Sequence, residues 1–391
     1  MTPRGFCSKV AITLGAFLLL VCTVWPLAAQ ARTESDGIFN LRSYGWEIPQ
    51  RRETNRPSIA IDRNGRVVVG FTVGERKGLV TRSHPSLSFR VLRFQPDGKT
   101  DLSLSLPTNV SGRTGIYLSQ DDRIIVRAND SLQLLTTDER TPEGVAWKIL
   151  APCSRRCHVE QSASRQTLFL FSEDADPPLT IIRFSEQPVA KQCGKARKTI
   201  DSNDSIQNYP QSITDEFAYF FGEMEYRWPF CDYEHRFKMN LQLQGRVSAM
   251  SDNRFVVNTS SLRPAISDVD LKVVSLDGSV KFKVSLPKHE SADSLWVPIR
   301  SSEQADTIAV DIFTMRGGNR ALDLSGHLTA RRIAVYDVIA GRELASIAVK
   351  PKHDYSFEFD LSPDGRRLAI LEDDTARVVN LVSRSPLPEQ R

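Results

Sequence analysis

Phe357-Glu-Phe-Asp-Leu-Ser-Pro-Asp-Gly365-Arg-Arg-Leu-Ala-Ile-Leu371 predicts a strand, a polar turn and a second, buried strand. Gly365 supplies the positive φ angle that such a turn requires. Clear copies of the unit start at Ile59, Ile116 and Val247, and weaker copies start near His158, Tyr209 and Leu295. The seven copies recur at a mean spacing of about fifty residues, which is the kind of period that repeat folds show.

A second repeated unit lies between copies of the first. It covers Val91–Pro107, Leu271–Pro287 and Ile333–Pro351, and each copy has apolar residues alternating with polar ones on both sides of a glycine. This pattern predicts a β-hairpin. Two hairpins per period make a four-stranded antiparallel sheet, and such sheets stack radially in β-propellers. We therefore predict an all-β chain forming a single propeller of seven four-stranded blades, with six or eight blades as the neighbouring alternatives. Long apolar runs at helical spacing are missing, which disfavours a βα architecture.

Two stretches resemble a known class of propeller. Ile333-Ala-Val-Tyr-Asp-Val-Ile-Ala-Gly-Arg-Glu-Leu344 resembles the passage between the outer and inner strands of WD40-type repeats, with Tyr336-Asp337 in place of Trp-Asp. The Ser-Pro-Asp-Gly365 turn is similar to one that WD40 repeats share with periplasmic TolB-like propellers. The resemblance is good over residues 330–383 and thin elsewhere, because the period is long and the Gly-His and Trp-Asp marks are mostly missing. It implies an irregular propeller and leaves function open.

The first thirty-one residues have the pattern of a secretory signal peptide. Arg4 and Lys9 precede an uncharged run, Val10–Val24, and Ala29-Gln30-Ala31 fits the small-x-small cleavage rule. We expect cleavage after Ala31 or Ala29, export to the periplasm or medium, and no membrane span afterwards. An uncleaved anchor and lipidation at Cys22 are the alternatives. The predicted layout is a signal peptide at 1–31, a lead-in segment at 32–57 that can donate a strand to the last blade, a propeller at 58–383 and a flexible tail at 384–391.

The composition excludes several classes of protein. The chain has 391 residues, is 40% hydrophobic and 25% charged, and has a net charge of +4, so neither a disordered chain nor a nucleic-acid-coating protein is indicated. We expect a monomer that has no cofactor or bound metal and that binds a protein or glycan partner. The basic segment Lys191–Asn208 is interpreted as a solvated loop, with a docking patch for an anionic partner as the alternative.

Four cysteines remain after the signal peptide: Cys153, Cys157, Cys193 and Cys231. Their even number and the predicted export favour two disulfides, and the sequence leaves all three pairings open. Zinc bound by Cys153, Cys157, His158 and Cys193 is an alternative, as are free thiols.

The segment Phe217–Phe237 is unusually aromatic. Its strand face with Phe217, Tyr219 and Phe221 is expected to pack between blades. Tyr226, Trp228 and Phe230 are interpreted as a candidate exposed platform for a glycan or protein partner. The alternative is that these three side chains fold back over the cysteine-rich sector.

The sequence contains no catalytic signature. Histidine pairs at metal spacing, a Gly-x-Ser-x-Gly elbow and phosphate-binding glycine loops are missing, and Gly317-Gly318 is typical of a turn. The acidic group Glu372-Asp373-Asp374 is interpreted as a solvated loop rather than a calcium site. The functional prediction is an exported ligand-binding or protein-interaction propeller. The alternatives are a lyase, lactonase or glycan-active hydrolase with its site in the central channel, and a structural part of an envelope complex.

Overall fold

A computed structural model describes most of the chain from Ser35 to Leu381. The described ranges are 35–46, 57–74, 87–108, 114–137, 144–154, 157–172, 179–185, 187–193, 212–220, 225–232, 235, 237–239, 246–258, 268–287, 294–296, 298–302, 304–316, 327–349, 359–372 and 374–381. The predicted signal peptide at 1–31 and the tail at 384–391 lie outside them, and both stay predictions. Thr33–Arg391 form one compact unit. Within the described part of the chain no α-helix is present, so none of its elements is a helix that could cross a membrane.

The strands form seven antiparallel sheets, numbered here as blades in chain order. Blade 1 contains β2 (Ser58–Ile61), β3 (Val67–Gly74), β4 (Leu87–Phe94) and β5 (Thr100–Thr108). Blade 2 contains β6 (Gly115–Leu118), β7 (Ile124–Ala128), β8 (Ser131–Thr137) and β9 (Val145–Pro152). Blade 3 contains β10 (Cys157–Gln161), β11 (Thr167–Ser172), β12 (Leu179–Arg183) and β13 (Val189–Cys193). Blade 4 contains β14 (Ser212–Ile213), β15 (Phe217–Phe220), β16 (Glu225–Pro229) and β17 (Phe237–Met239).

Blade 5 contains β18 (Arg246–Ser251), β19 (Arg254–Asn258), β20 (Val269–Ser275) and β21 (Val280–Leu286). Blade 6 has a split inner strand, β22 (Ser294–Trp296) and β23 (Ile299–Ser302), followed by β24 (Thr307–Arg316), β25 (His327–Asp337) and β26 (Arg342–Val349). Blade 7 contains β27 (Phe359–Leu361), β28 (Arg367–Glu372) and β29 (Thr375–Asn380), and its outermost strand is β1 (Ser35–Asn40) from the start of the chain. The prediction of an all-β fold with seven four-stranded blades is confirmed.

The N-terminal segment closes the ring. β1 lies within the region that the sequence assigned to the lead-in segment, and it pairs antiparallel with β29, so that Phe39 lies opposite Ala376. After a short 3₁₀ helix at Arg42–Tyr44, the chain continues into blade 1. β27 of blade 7 packs against β2 of blade 1, as neighbouring inner strands do around the ring. The first and last blades are therefore held together both by strand exchange and by packing.

Each blade packs on both of its faces. In β3, Val67 and Val69 belong to an apolar cluster shared with blade 7, whereas Val68 between them belongs to a cluster shared with blade 2. Alternate side chains of a strand point to opposite faces of its sheet, so a strand between two blades must be apolar at every position. This explains why the second strand of each unit is a continuous apolar run in the sequence.

The predicted hairpin turns are present where the glycines indicated. Gly98, Gly278 and Gly341 have φ angles of +91°, +84° and +65°, in the region that favours glycine. They join the third and fourth strands of blades 1, 5 and 6. The irregular propeller that the resemblance to WD40-type repeats implied is confirmed by the seven blades.

The turns between the first and second strands of the blades contact one another around the ring. Each of these turns, or the strand beginning beside it, makes a polar contact with the next blade. The contacts are Arg63 Nε with Asp122 Oδ2 (3.7 Å), Gln120 N with Arg165 O (3.0 Å), Ser164 Oγ with Asp215 Oδ2 (2.6 Å), Tyr219 Oη with Asp252 O (3.3 Å), Arg254 with Asp306, Ser302 Oγ with Pro363 O, and Arg367 Nη1 with Arg63 O (3.3 Å). We call this set the polar belt. It ties the blades together at the end of the channel where the inner strands finish.

Candidate functional site

The seven inner strands surround a central cavity of about 440 Å³. Residues from every blade line it: Ser58, Gly115, His158, Ser212, Ser248, Arg300 and Asp360 are one example from each, in blade order. The volume lies within the range of small-molecule sites in proteins. Because the wall comes from seven separate repeats, the cavity exists only in the closed ring.

One end of the cavity is crossed by a single buried arginine. Arg165 lies in the turn after β10 of blade 3 and is 7% exposed. Its guanidinium donates to the carbonyl oxygens of Ile61 (2.7 Å) and Leu361 (2.8 Å), the last residues of the inner strands of blades 1 and 7. It also pairs with the Asp360 carboxylate at 2.9 Å, and Asp360 accepts the Ile61 amide at 2.9 Å. Blade 3 is adjacent to neither blade 1 nor blade 7, so this side chain bridges the channel.

We expect Arg165→Met to lower the free energy of unfolding by about 2–3 kcal/mol, because it leaves a largely buried carboxylate without its cation. Methionine keeps an unbranched apolar stem without the guanidinium group, so most of the loss reports the polar contacts. Chemical denaturation of the two proteins measures the difference. Arg183→Met is the matched control, since Arg183 forms an exposed pair with Glu216 and its loss should cost at most a few tenths of a kcal/mol. Equal effects of the two substitutions would contradict the bridging role.

The cavity wall formed by β10 of blade 3 carries a histidine–carboxylate pair. His158 Nε2 and Glu160 Oε1 are 2.8 Å apart, and both side chains are about one-third exposed. Both residues line the cavity from β10, on the strand that precedes Arg165. A histidine beside a carboxylate in the central channel is a pair of groups that the enzyme alternative could use for acid–base chemistry.

The four cysteines lie in two pairs at disulfide distance. The Cα atoms of Cys153 and Cys157 are 5.2 Å apart, and those of Cys193 and Cys231 are 5.0 Å apart, within the usual range for disulfides. The first pair lies where the chain passes from blade 2 to blade 3, and the second joins the outer strand of blade 3 to blade 4. Zinc ligation would require Cys193 to meet Cys153 and Cys157, but its thiol faces Cys231. No cluster of three or more metal-ligating side chains is present in the described part of the chain.

We expect the chain of residues 32–391, which lacks the predicted signal peptide, to have no free thiol. Alkylation of the denatured but unreduced protein should leave its mass unchanged, and reduction before alkylation should add four adducts. Peptide mapping without reduction should recover Cys153 linked to Cys157 and Cys193 linked to Cys231. Four adducts without reduction would contradict the disulfides, and any other linked peptides would contradict this pairing.

The structure corrects the exposed-platform interpretation at Trp228. This residue is 4% exposed and packs between blades 3 and 4 with Phe169, Ile181 and Cys193. Phe230 is half-buried against the same cluster, with its ring 6.1 Å from that of Phe169. The backbone of Tyr226 lies in β16, and its side chain is outside the described set. Trp228 and Phe230 thus adopt the alternative arrangement, folded over the cysteine-rich sector, because an indole in this position covers apolar surface on both blades.

We expect Trp228→Phe to lower the free energy of unfolding by about 1–2 kcal/mol, because phenylalanine leaves part of the buried space empty. Thermal unfolding of the variant measures the change. Trp147→Phe is the comparison, since Trp147 is only half-buried on an outer strand and should lose less stability. A Trp228 variant as stable as the parent would restore the platform interpretation.

The remaining sequence predictions fall on other parts of the structure. Glu372 accepts a hydrogen bond from Arg377 Nη2 at 2.8 Å, and the Asp374 carboxylate pairs with Arg42, so these acids support blade 7 and its closing strand. Most of Lys191–Asn208, all of Gly317-Gly318, and Asp373 lie outside the described residues. Phe217 and Tyr219 pack between blades 4 and 5 as predicted, with the Tyr219 ring 5.0 Å from that of Phe255.

Sequence reasoning missed the arginine bridge. Arg165 belongs to a weakly patterned repeat, and its partners Ile61 and Asp360 are 104 and 195 residues away. Arg165 has a positive φ angle, which is uncommon for a residue other than glycine. Because this angle is visible only in the structure, the sequence itself carries no signal for the bridge.

Comparisons with known proteins find only distant likeness to solved structures. No family model matches the chain. No curated protein matches it either. Among solved structures, a chain of a mitotic checkpoint complex superposes with a TM-score of 0.47 at 12% identity, covering 91% of this chain and 98% of the other. A KlHsv2 variant with loop 6CD replaced by a Gly-Ser linker superposes with a TM-score of 0.35 at 13% identity, covering 69% of this chain and 81% of the other. Likeness of this degree does not identify a function.

Proposed function

We propose that this protein is an exported binding propeller that holds a small ligand in its central cavity. The observation that carries the proposal is the cavity itself, walled by all seven inner strands and bridged at one end by Arg165. A site on rigid strands is better defined than one on loops, and a cavity bridged at one end offers a ligand several walls at once. Export is supported by the signal-peptide pattern and by the two cysteine pairs.

The polar belt supports this proposal by making the cavity rigid. Its seven contacts link every blade to the next at one end of the channel, and β1 closes the ring by pairing with β29 of the last blade. A ligand that binds the closed ring and not the unfolded chain must raise the melting temperature. The proposal therefore predicts a measurable shift for the right ligand.

The experiment is a thermal-shift screen of residues 32–391 against glycans, cell-wall fragments, divalent metals and short peptides. A saturable rise of the melting temperature is the expected result. Ser248→Phe, which introduces a ring into the cavity wall, should abolish the rise, whereas Ser103→Phe on the exposed face of β5 should preserve it. A rise that survives Ser248→Phe would place the ligand elsewhere, and no rise across the panel would move the function to a macromolecular partner on the propeller faces.

A second candidate is an enzyme with its site in the same cavity, and the His158–Glu160 pair favours it. A carboxylate that holds an imidazole in one orientation can support general acid–base chemistry. Turnover of chromogenic glycosides, esters or lactones that is lost in His158→Gln would establish this candidate. Ligand binding that persists in His158→Gln without any turnover by the parent protein would favour the binding propeller.

A further inference from the structure

We propose that the cavity ligand is a small neutral sugar of one or two rings. This inference rests on the proposed function and adds the chemical class of the ligand. It follows from the hydroxyl groups, the charge and the apolar patches of the cavity wall.

Residues with hydroxyl side chains line the cavity in six of the seven blades, although the hydroxyl oxygens of Ser58 and Thr114 are themselves enclosed by protein atoms. The lining residues of this kind are Ser58, Thr114 and Tyr117, Ser162, Ser212, Ser248 and Ser301, and Asp360 stands at the seventh blade. Some are engaged in the fold, since Ser212 Oγ accepts the Ala249 amide at 2.7 Å and Ser162 Oγ bonds Ser164 Oγ at 3.0 Å. A hydroxyl both donates and accepts a hydrogen bond, so the partly exposed hydroxyl side chains of Tyr117, Ser248 and Ser301 suit a ligand that itself presents hydroxyls.

The charges of the wall balance. Arg165 is paired with Asp360 at the bridged end, and the other two charged side chains of fixed sign in the lining are Glu160 and Arg300. Two cations and two anions give the lining side chains of fixed charge no net charge. A charged ligand would bring an uncompensated charge into a partly enclosed space, at a cost in solvation that an uncharged ligand avoids. The balance therefore selects a neutral molecule.

Apolar side chains alternate with these polar groups. The half-buried side chains of Val159 and Ile299 line the cavity, whereas Ile59 and Ile116 border it but pack mainly between blades. A sugar ring has hydroxyls along its edge and C–H groups on its faces, and a wall of both kinds complements both. The volume of about 440 Å³ accommodates one or two such rings.

The test compares three ligands with the same ring and different charge: glucose, glucuronate and glucosamine. Isothermal titration of residues 32–391, with N-acetylglucosamine and cellobiose as further neutral probes, measures their affinities. We expect saturable binding of at least one neutral sugar and binding about tenfold weaker or worse for both charged analogues. Tighter binding of glucuronate or glucosamine than of every neutral sugar would overturn the inference while leaving a cavity-binding function in place.

Variants locate the binding. Ser248→Phe should abolish it, and Glu160→Gln should weaken it about tenfold by removing a charged hydrogen-bond acceptor from the wall. Glu216→Gln, an exposed glutamate outside the cavity, is the matched control and should bind as the parent does. Sugar binding unaffected by Ser248→Phe would reject the cavity as the sugar site. If no sugar binds but a peptide or metal in the wider screen does, the ligand class is wrong. If nothing binds in either experiment, the proposed function fails as well.

Discussion

A chain that begins at residue 47 should fail to form a stable ring, whereas the chain that begins at residue 32 should unfold cooperatively. The truncation removes β1 and also Leu41 and Trp46, two buried residues that follow β1 in the junction between blades 7 and 1. Phe39, Leu41 and Trp46 are 3%, 0% and 6% exposed. Burial of three side chains of this size contributes about 5–9 kcal/mol, which is comparable with the whole stability of a typical domain.

The contacts of these residues explain why no neighbour can replace them. The Phe39 ring stacks on Phe94 at 4.8 Å, and the Trp46 ring lies edge-on to Phe71 at 5.0 Å. The Leu41 amide donates to the Asp374 carbonyl at 2.8 Å, next to the paired strand β29. Without β1, the β29 edge is exposed together with apolar surface of blade 1, and an open edge of this kind promotes aggregation.

Circular dichroism and thermal unfolding of the two chains measure the effect. A chain that ends at residue 383 is the matched control, because it loses a predicted tail and should melt as the parent does. A synthetic peptide of residues 35–46 added to the truncated chain should restore part of the transition by binding in the place of β1. A truncated chain that melts within about 2 °C of the parent would contradict strand closure.

A structural feature could be predicted from the sequence where a short run of neighbouring residues determines it. The hairpins around Gly98 and Gly278 could be predicted because alternation and a turn glycine are properties of a dozen neighbouring residues. The number of blades followed from the spacing of such units. The split inner strand of blade 6, by contrast, has no clear repeat in the sequence around Ser294–Ser302.

The sequence could predict where the candidate site lies, but it could not predict which residues form it. A seven-bladed ring implies a central channel, but the residues that bridge it come from turns far apart in the chain. Arg165 meets Asp360 because both lie at the ends of inner strands, and nothing in the local sequence of either indicates the other. The Trp228 interpretation failed for a related reason. A segment that mixes aromatic and charged residues is typical of an exposed loop, yet apolar side chains of blade 3 cover Trp228.

The second large change in stability is expected at a buried ion pair of blade 6, which lies on the face that packs against blade 7. Asp311 and Arg331 have side chains 0% and 4% exposed, and Arg331 donates to both carboxylate oxygens, with the Nη2–Oδ2 distance at 2.6 Å. Their strand neighbours Ala309 and Ile333 face the apolar cluster shared with blade 7. Burial raises the pKa of the Asp311 carboxyl, and the Arg331 guanidinium opposes that rise. Removing one partner leaves the other charge in an apolar junction.

We expect Asp311→Leu to lower the free energy of unfolding by about 3–5 kcal/mol, and Arg331→Met to do the same at neutral pH. The double variant should recover much of this loss, since two apolar side chains can fill the space of the pair. Chemical denaturation of the four proteins completes a double-mutant cycle. Asp97→Leu, which breaks an exposed pair with Lys99, is the control and should change stability by a few tenths of a kcal/mol at most.

The pH dependence separates the two single variants. In Arg331→Met the pKa of Asp311 is raised further above its ordinary value of 3.8, so the native state binds a proton that the unfolded state releases. At a pH below 3.8 the stability of that variant should approach the stability of the parent. As the pH rises from 3.8 towards the folded-state pKa of Asp311, the stability of the variant should fall below that of the parent. Asp311→Leu has no carboxyl at this position and its buried guanidinium does not titrate, so its own free energy of unfolding should show no pH dependence from this site. Parallel pH profiles for the two variants would show that the junction senses lost volume rather than lost charge.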